Sequence, residues 1–150
     1  YRGTPGIYFL SLDANSRLAV WGARTGWSLP YHHAQMKMTT EEGETEFHIR
    51  RSRSGLLHHA RYRVGEMLAA PEPGTLEYFL LERYWLFVRH RDQLCKAQVH
   101  HCPYPAQDAE LLEFDDQLLA SAGLPQLNRD PPLVHYAERV DTEIFGLQRA

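Results

Sequence analysis

The chain has 150 residues, 43% of them hydrophobic and 23% charged, with a formal net charge of −3. That length fits one domain of about 100–200 residues, able to bury about 68–70% of its unfolded surface. Its apolar and aromatic content excludes disorder. No stretch reaches the roughly 18 uninterrupted apolar residues of a membrane helix, and a near-neutral balance argues against a nucleic-acid-binding domain.

The chain opens without methionine on Tyr1-Arg2-Gly3-Thr4-Pro5-Gly6, which is turn chemistry. A turn so early points to a truncated or processed chain whose preceding strand is missing. Ile7 to Leu12 is a β-rich apolar run, after which Asp13, Asn15 and Ser16 offer helix caps. Ser16 to Thr25 reads as a short amphipathic helix with Leu18 and Trp21 on one side, closed by Gly26.

A three-strand meander follows. Tyr31 to Thr39 alternates, with His32, Ala34, Met36 and Met38 on an apolar, inward face. Glu42-Gly43 turns the chain into Thr45 to Arg53, which points Phe47 and Ile49 inward, and Ser54-Gly55 leads to Leu57 to Val64. Thr75 caps a helix over Leu76 to Leu81, and Tyr84 to Arg89 is a nearly all-apolar strand. A turn near Arg91-Asp92 leads to Leu94 to His101, stopped by Pro103-Tyr104-Pro105. Asp115 offers a cap for a helix from Asp116 to Ala122, and Leu133 to Phe145 reads as one long closing strand. About seven strands with hairpin-length connections predict a mainly β fold, an antiparallel sheet closed into a barrel with short helices at its ends and no βαβ winding.

The 16 basic residues include only two lysines, Lys37 and Lys96, so lysine chemistry has two possible sources. Cys95 and Cys102, with six residues between them on an extended segment, are too far apart to bridge and so read as reduced thiols of a cytoplasmic protein.

Several segments resemble the YqjF-like family of bacterial proteins, placed with the acetoacetate decarboxylase-like superfamily. They are Gly6-Ile7-Tyr8-Phe9-Leu10-Ser11-Leu12-Asp13-Ala14, Arg17-Leu18-Ala19, Leu29-Pro30-Tyr31-His32 and Leu81-Glu82-Arg83-Tyr84. His100-His101-Cys102-Pro103-Tyr104-Pro105 and Pro132-Leu133-Val134-His135-Tyr136 complete the set, Tyr104 standing where such proteins more often carry tryptophan. The resemblance implies a cone-shaped antiparallel β-barrel with an interior cavity. Residues 1–150 would form the larger, C-terminal part of it. Acetoacetate decarboxylases use two adjacent lysines after a glycine-aromatic-proline turn. At the position that looks equivalent this chain has Tyr31 and His32, neither of which can form an imine. Lys37, on the polar face, is a poor substitute.

Two functional readings stand. In the first the barrel cavity binds a small apolar or carboxylate-bearing ligand, with Tyr84, His101 and Met36 among its contacts. In the second the chain is an enzyme on a small organic acid or carbonyl compound, with Glu82 as acid or base, Arg83 as anion clamp, and Tyr31 or His32 polarising the carbonyl. No cofactor is expected. The nine histidines include three strand pairs whose inward members, His32, His58 and His101, are the ones a zinc ion would use, though their spacing matches no tight metal motif. Arg50, Arg51, Arg53, Arg61 and Arg63 make one hairpin basic, which allows anion or nucleic-acid binding as a third reading. Glu41, Glu42, Glu44 and Glu46 lie beside them and favour a salt-bridged surface. The expected partner is a small molecule, not a membrane or a nucleic acid, and barrel edges left open by missing strands would favour a homo-oligomer.

Overall fold

A computed structural model describes residues 3–125, 131 and 133–150, apart from the side chain of Asp116. The fold is mainly β, and its larger sheet curls into half a barrel. That sheet runs β2 (Leu12–Ala14), β3 (Tyr31–Glu41), β4 (Glu44–Arg51), β5 (Leu57–Met67), β8 (Gln107–Asp116) and β9 (His135–Tyr136). The smaller sheet runs β1 (Ile7–Tyr8), β6 (Trp85–His90), β7 (Gln93–His101) and β10 (Thr142–Ile144), with β11 (Gln148–Arg149) also on β7. Helices α1 (Arg17–Trp27), α2 (Leu76–Leu81) and α3 (Leu118–Ser121) lie between the strands in sequence.

The meander forms as expected. Glu42-Gly43 and Arg91-Asp92 both take positive φ, the backbone twist that two-residue antiparallel hairpins need. Helix α2 has its expected bounds, and the Thr75 hydroxyl accepts from the Tyr78 amide at 3.2 Å. Ser16 caps α1 in the same way through Ala19 at 3.2 Å. That helix runs to Trp27, past Gly26, because Ser28 adopts the left-handed cap.

Four expectations change. The run Ile7 to Leu12 is two strands, not one: β1 pairs with β6 and β2 with β3, so the chain crosses between sheets near Phe9 to Ser11. Both pairings are parallel, and β2–α1–β3 is therefore a βαβ unit in an otherwise antiparallel fold. Gln107–Asp116 is a ten-residue strand where the sequence reading left a connection and a helix cap. A register shift between Arg61 and Tyr62, opposite Leu111 and Glu113, breaks its alternation and hides it. Helix α3 consequently starts at Leu118, with no side-chain cap from Asp115. The expected closing strand is two pieces, β9 on β8 and β10 on β7, and β11, beyond Phe145, continues along the same edge of β7. Pro132 lies outside the described residues.

The core joins the sheets. Leu29, Leu86, Val88, Cys95 and Ala97 pack together, with Phe9, Leu12, Trp27, Tyr31 and Leu147 around them. The Trp27 indole N–H reaches the Phe145 carbonyl at 2.9 Å, which ties α1 to the C-terminal segment. Gly6 is needed where β1 approaches β6, since a Cβ there would lie 2.5 Å from the Phe87 ring and 2.6 Å from the Trp85 carbonyl oxygen.

Beside this apolar core lies a buried ion pair. On the inner face of the larger sheet, Arg51 at the end of β4 reaches over β3 to Asp13 on β2. The guanidinium donates Nε–H to Oδ1 at 2.8 Å and Nη2–H to Oδ2 at 3.0 Å. The two side chains are only 7% and 6% exposed. Arg51 also donates to Ser121 Oγ at 3.2 Å and to Ser11 Oγ, so β2, β4, α3 and the crossing segment meet on one cation. Ala34, opposite Arg51 on β3 and 0% exposed, is small enough to let that side chain pass.

Two stability predictions follow from these contacts. Gly6→Ala should lower stability by about 1–3 kcal/mol, because one atom of the clash is backbone; a lower urea midpoint at unchanged m reads it. Asp13→Ala should cost about 3–5 kcal/mol by stranding a buried guanidinium, while the pair Asp13→Leu with Arg51→Met costs less than that single change. Denaturant unfolding of the two proteins makes the comparison.

Candidate functional site

The residues singled out in the sequence fall into separate groups. Glu82, Tyr84 and His101 come together where α2 feeds β6. The Tyr84 hydroxyl donates to Glu82 Oε2, and the Tyr84 ring stacks on buried His101 with centroids 4.8 Å apart at 21°. Tyr104 closes the other side of that imidazole edge-on at 5.0 Å. His101 Nδ1–H donates to the Cys102 carbonyl at 2.8 Å, which fixes its tautomer. The hydrogen bond to the Glu82 carboxylate, with burial second, pushes the Tyr84 phenol up to about 12. Arg83 joins neither Glu82's carboxylate nor the cluster: it donates to the Glu82 carbonyl at 2.9 Å and lies 4.1 Å over the Phe79 ring. Both contacts lie at the C-terminal end of α2.

Tyr31 packs against the core from the start of β3, and its carbonyl accepts from Arg24 at 3.4 Å. His32 points to the opposite face and lines a cleft of about 680 Å³ between α1 and the β3–β4 end. Arg24, Arg51, Arg53, Ser52 and Ser121 also line it, with Val20 and Leu56 as its apolar part. Partial burial of the ring, then the Arg51 charge, hold the His32 imidazole below its ordinary value, while Asp13 pulls the other way and Arg24 adds to the lowering. Among the described residues, neither Arg24 nor Arg53 has a carboxylate partner. Met36 is half-buried on the inner face of β3, and Met38, two residues on, is 59% exposed, so this inward stripe lies open at its far end.

The basic hairpin divides by strand alternation. Arg61 pairs with Glu44 at 2.7 Å and with Glu113, and Arg63 with Glu44 at 2.8 Å and Glu110 at 2.5 Å, all on the outer face. This is the salt-bridged surface expected. Arg51 is the exception, turned inward and buried against Asp13. Counting arginines in a row conceals it; alternation with Phe47 and Ile49 would have exposed it.

His32, His58 and His101 do not assemble. His32 stands on β3, His58 is on β5 with Phe114 edge-on at 5.5 Å, and His101 is in the other sheet. Among the described residues the one His-rich cluster with ligand atoms within 4.8 Å of one another is Glu46, His48 and His59. Sequence reasoning passed over it, because His48 belongs to no histidine pair. The signal was there: Glu46-x-His48 shares one strand face, one turn from a strand that carries His59.

The Glu82–Tyr84 pair generates a prediction. The phenol is held neutral beside a carboxylate, so its native value lies above the unfolded one of 10. Its contribution is complete below pH 10 and is lost as pH rises toward 12. Glu82→Gln removes the negative charge and should bring Tyr84 back down part of the way, leaving the effect of burial. Ultraviolet titration of tyrosinate, compared between the two proteins, measures the difference.

Residues 1–141 match the DUF2071 family, described as an uncharacterised conserved protein. The chain is 38% identical over 151 residues to the uncharacterised protein YqjF of Bacillus subtilis (strain 168), an alignment that covers 99% of this chain and 62% of YqjF. The chain thus spans less than two thirds of that relative's length. The match to the family runs from the parallel β1 through the cleft and the Glu82–Tyr84–His101 cluster to Asp141 at the edge of β10, and on it the chain belongs to the DUF2071 family.

Proposed function

We propose that the chain binds a small organic anion, a carboxylate-bearing molecule, in the cleft between α1 and the β3–β4 end. The observation that carries this reading is the lining itself. Two arginines without acid partners among the described residues, Arg24 and Arg53, converge with His32 on about 680 Å³ of space. That volume lies within the roughly 300–1,000 Å³ usual for small-molecule sites. A guanidinium can take a carboxylate through two parallel hydrogen bonds. Val20 and Leu56 offer an apolar wall for the rest of the molecule, and the serine hydroxyls can meet its polar substituents.

The acetoacetate decarboxylase-like placement fits this location. On the resemblance to that superfamily, Tyr31 and His32 would stand at the position of its lysine pair, and His32 lines the cleft. Neither residue can form an imine, which supports a site that binds its ligand without that chemistry. The free thiols of Cys95 and Cys102 agree with a reducing, cytoplasmic setting. No helix among the described residues is long and apolar enough to cross a membrane.

Titration calorimetry against a panel of small mono- and dicarboxylates tests the proposal. At least one member should bind, and Arg24→Gln or Arg53→Gln should weaken it about tenfold or more by removing a charge-assisted contact. Binding should tighten as pH falls through the depressed value of His32, below the usual 6.5, because a third cation then faces the ligand. The His32→Ala protein should lose that pH dependence. A panel that shows no binding, or binding indifferent to both arginines, sinks the reading.

A further inference from the structure

We propose that Glu46, His48 and His59 form a binding site for a divalent transition-metal ion of the zinc class, on the outer face of the larger sheet. This site is independent of the cleft: it lies on the face opposite Arg51, and none of its three residues lines that cleft. Strand geometry builds it. Glu46 and His48 are two apart on β4 and therefore project to the same side, and His59 stands directly across from His48 on β5. The Glu46 Oε1 atom lies 3.1 Å from His59 Nε2 and 3.4 Å from His48 Nε2. Zinc takes imidazole nitrogen at about 2.0–2.1 Å and carboxylate oxygen at about 2.0–2.2 Å in a tetrahedron, which sets neighbouring ligand atoms roughly 3.3–3.5 Å apart. Two of the three edges of that triangle are thus close to the required length before any ion enters.

The third edge needs movement. The two imidazoles stack at 4.4 Å and 18°, so their lone pairs run parallel and must turn toward a shared point. Freedom for that turn exists, since the side chains are 48% and 25% exposed. Three protein ligands leave a fourth position for water, in a cleft of about 390 Å³ that His48 and His59 line together with Gln35, Arg50 and Leu57. The surrounding charges are mixed. Lys37, across from His48, opposes a dication, and Asp115, across from His59, offsets it. Glu44 and Glu113 are already engaged by Arg61. The donor set of two imidazoles and one carboxylate favours zinc-like ions over magnesium, which prefers oxygen alone.

Zinc titration of the chelator-treated chain tests the site, in competition with a chromogenic chelator and in a Cys102→Ser background so that the exposed thiol does not compete. One equivalent per chain should bind, and magnesium at equal concentration should not displace it. His48→Ala and His59→Ala should each weaken binding tenfold to hundredfold or more, as lost metal-site groups do, and Glu46→Gln should weaken it as well. The side chains of Glu46 and His48 are exposed and their variants keep the fold, while His59, three-quarters buried, is checked by the circular dichroism spectrum of its variant. Nitrogen-15 spectra of the histidine rings give a second readout: zinc should shift the Nε2 signals of His48 and His59 and leave those of His32 and His101 in place. An isotherm unchanged in the two histidine variants, shifts confined to other rings, or no saturable binding overturns the proposal.

Discussion

A guanidinium buried inside a sheet must be paired, and in this protein that requirement organises everything around the end of β4. Arg51 cannot remain 7% exposed without a full set of acceptors, because an uncompensated buried charge is among the most destabilising features a fold can carry. Asp13 meets it in bidentate fashion, and Ser11 and Ser121 accept from its remaining donors. Those partners come from sequence positions some 40 to 70 residues away. The pair therefore fixes where β2 lies against β3, and with it the direction from which α1 leaves. The parallel β2–β3 pairing is the geometric result: the chain must enter beside β3, leave through the helix and return in the same direction. The pair's value is in specifying this one arrangement more than in net stability, since an apolar pair of similar volume could replace it at little cost.

The two faces of the larger sheet carry different chemistry, and the ion pair marks the inner one. Inward, the Arg51 charge is neutralised by Asp13 but still close enough to disfavour a proton on His32. Outward, alternation collects Glu44, Glu46, His48, His59, Arg61 and Arg63, whose contacts are wet and individually weak. Glu46 illustrates the difference. Its carboxyl is held below the usual range, first by the hydrogen bond from His59, yet it stands in solvent where such pairing adds little stability. One face is built for rigidity and the other for exchangeable contacts, and period-two geometry alone keeps them apart.

Much of the fold was legible because local signals agreed with tertiary demands. Thr75 before Leu76 to Leu81, Glu42-Gly43 between alternating runs, and the apolar stretch from Tyr84 each had one sensible reading. The failures were places where a distant partner decides. Ile7 to Leu12 looks like one strand, and only the presence of two sheets divides it. Leu111-Leu112 looks aperiodic because a bulge sits there, so the longest connection of the sequence reading was a ten-residue strand. Leu133 to Phe145 has strand composition throughout, but β8 and β7 offer edges in different sheets, and the segment serves both. For the candidate residues the pattern is similar. Glu82, Tyr84 and His101 were singled out separately and do meet, while Arg83 and Glu82, adjacent in sequence, do not pair through their side chains.

His32, at the start of β3, shows how a histidine can serve the proposed site where a lysine would not. A lysine there would be a permanent cation unless its neighbours depressed its pKa far enough to free the amine. A partly buried histidine with Arg51 and Arg24 nearby needs little help to be neutral, since its ordinary value already lies near physiological pH and burial first, then the two charges, push it lower. Neutral imidazole offers one donor and one acceptor, so it can orient a polar group without attacking it. The arginines stay charged at any accessible pH and, in the proposed site, supply the attraction for an anion. Attraction and orientation are thereby divided between residues of different kinds. That division suits the proposed binding role, in which no covalent bond has to form or break for the ligand to leave.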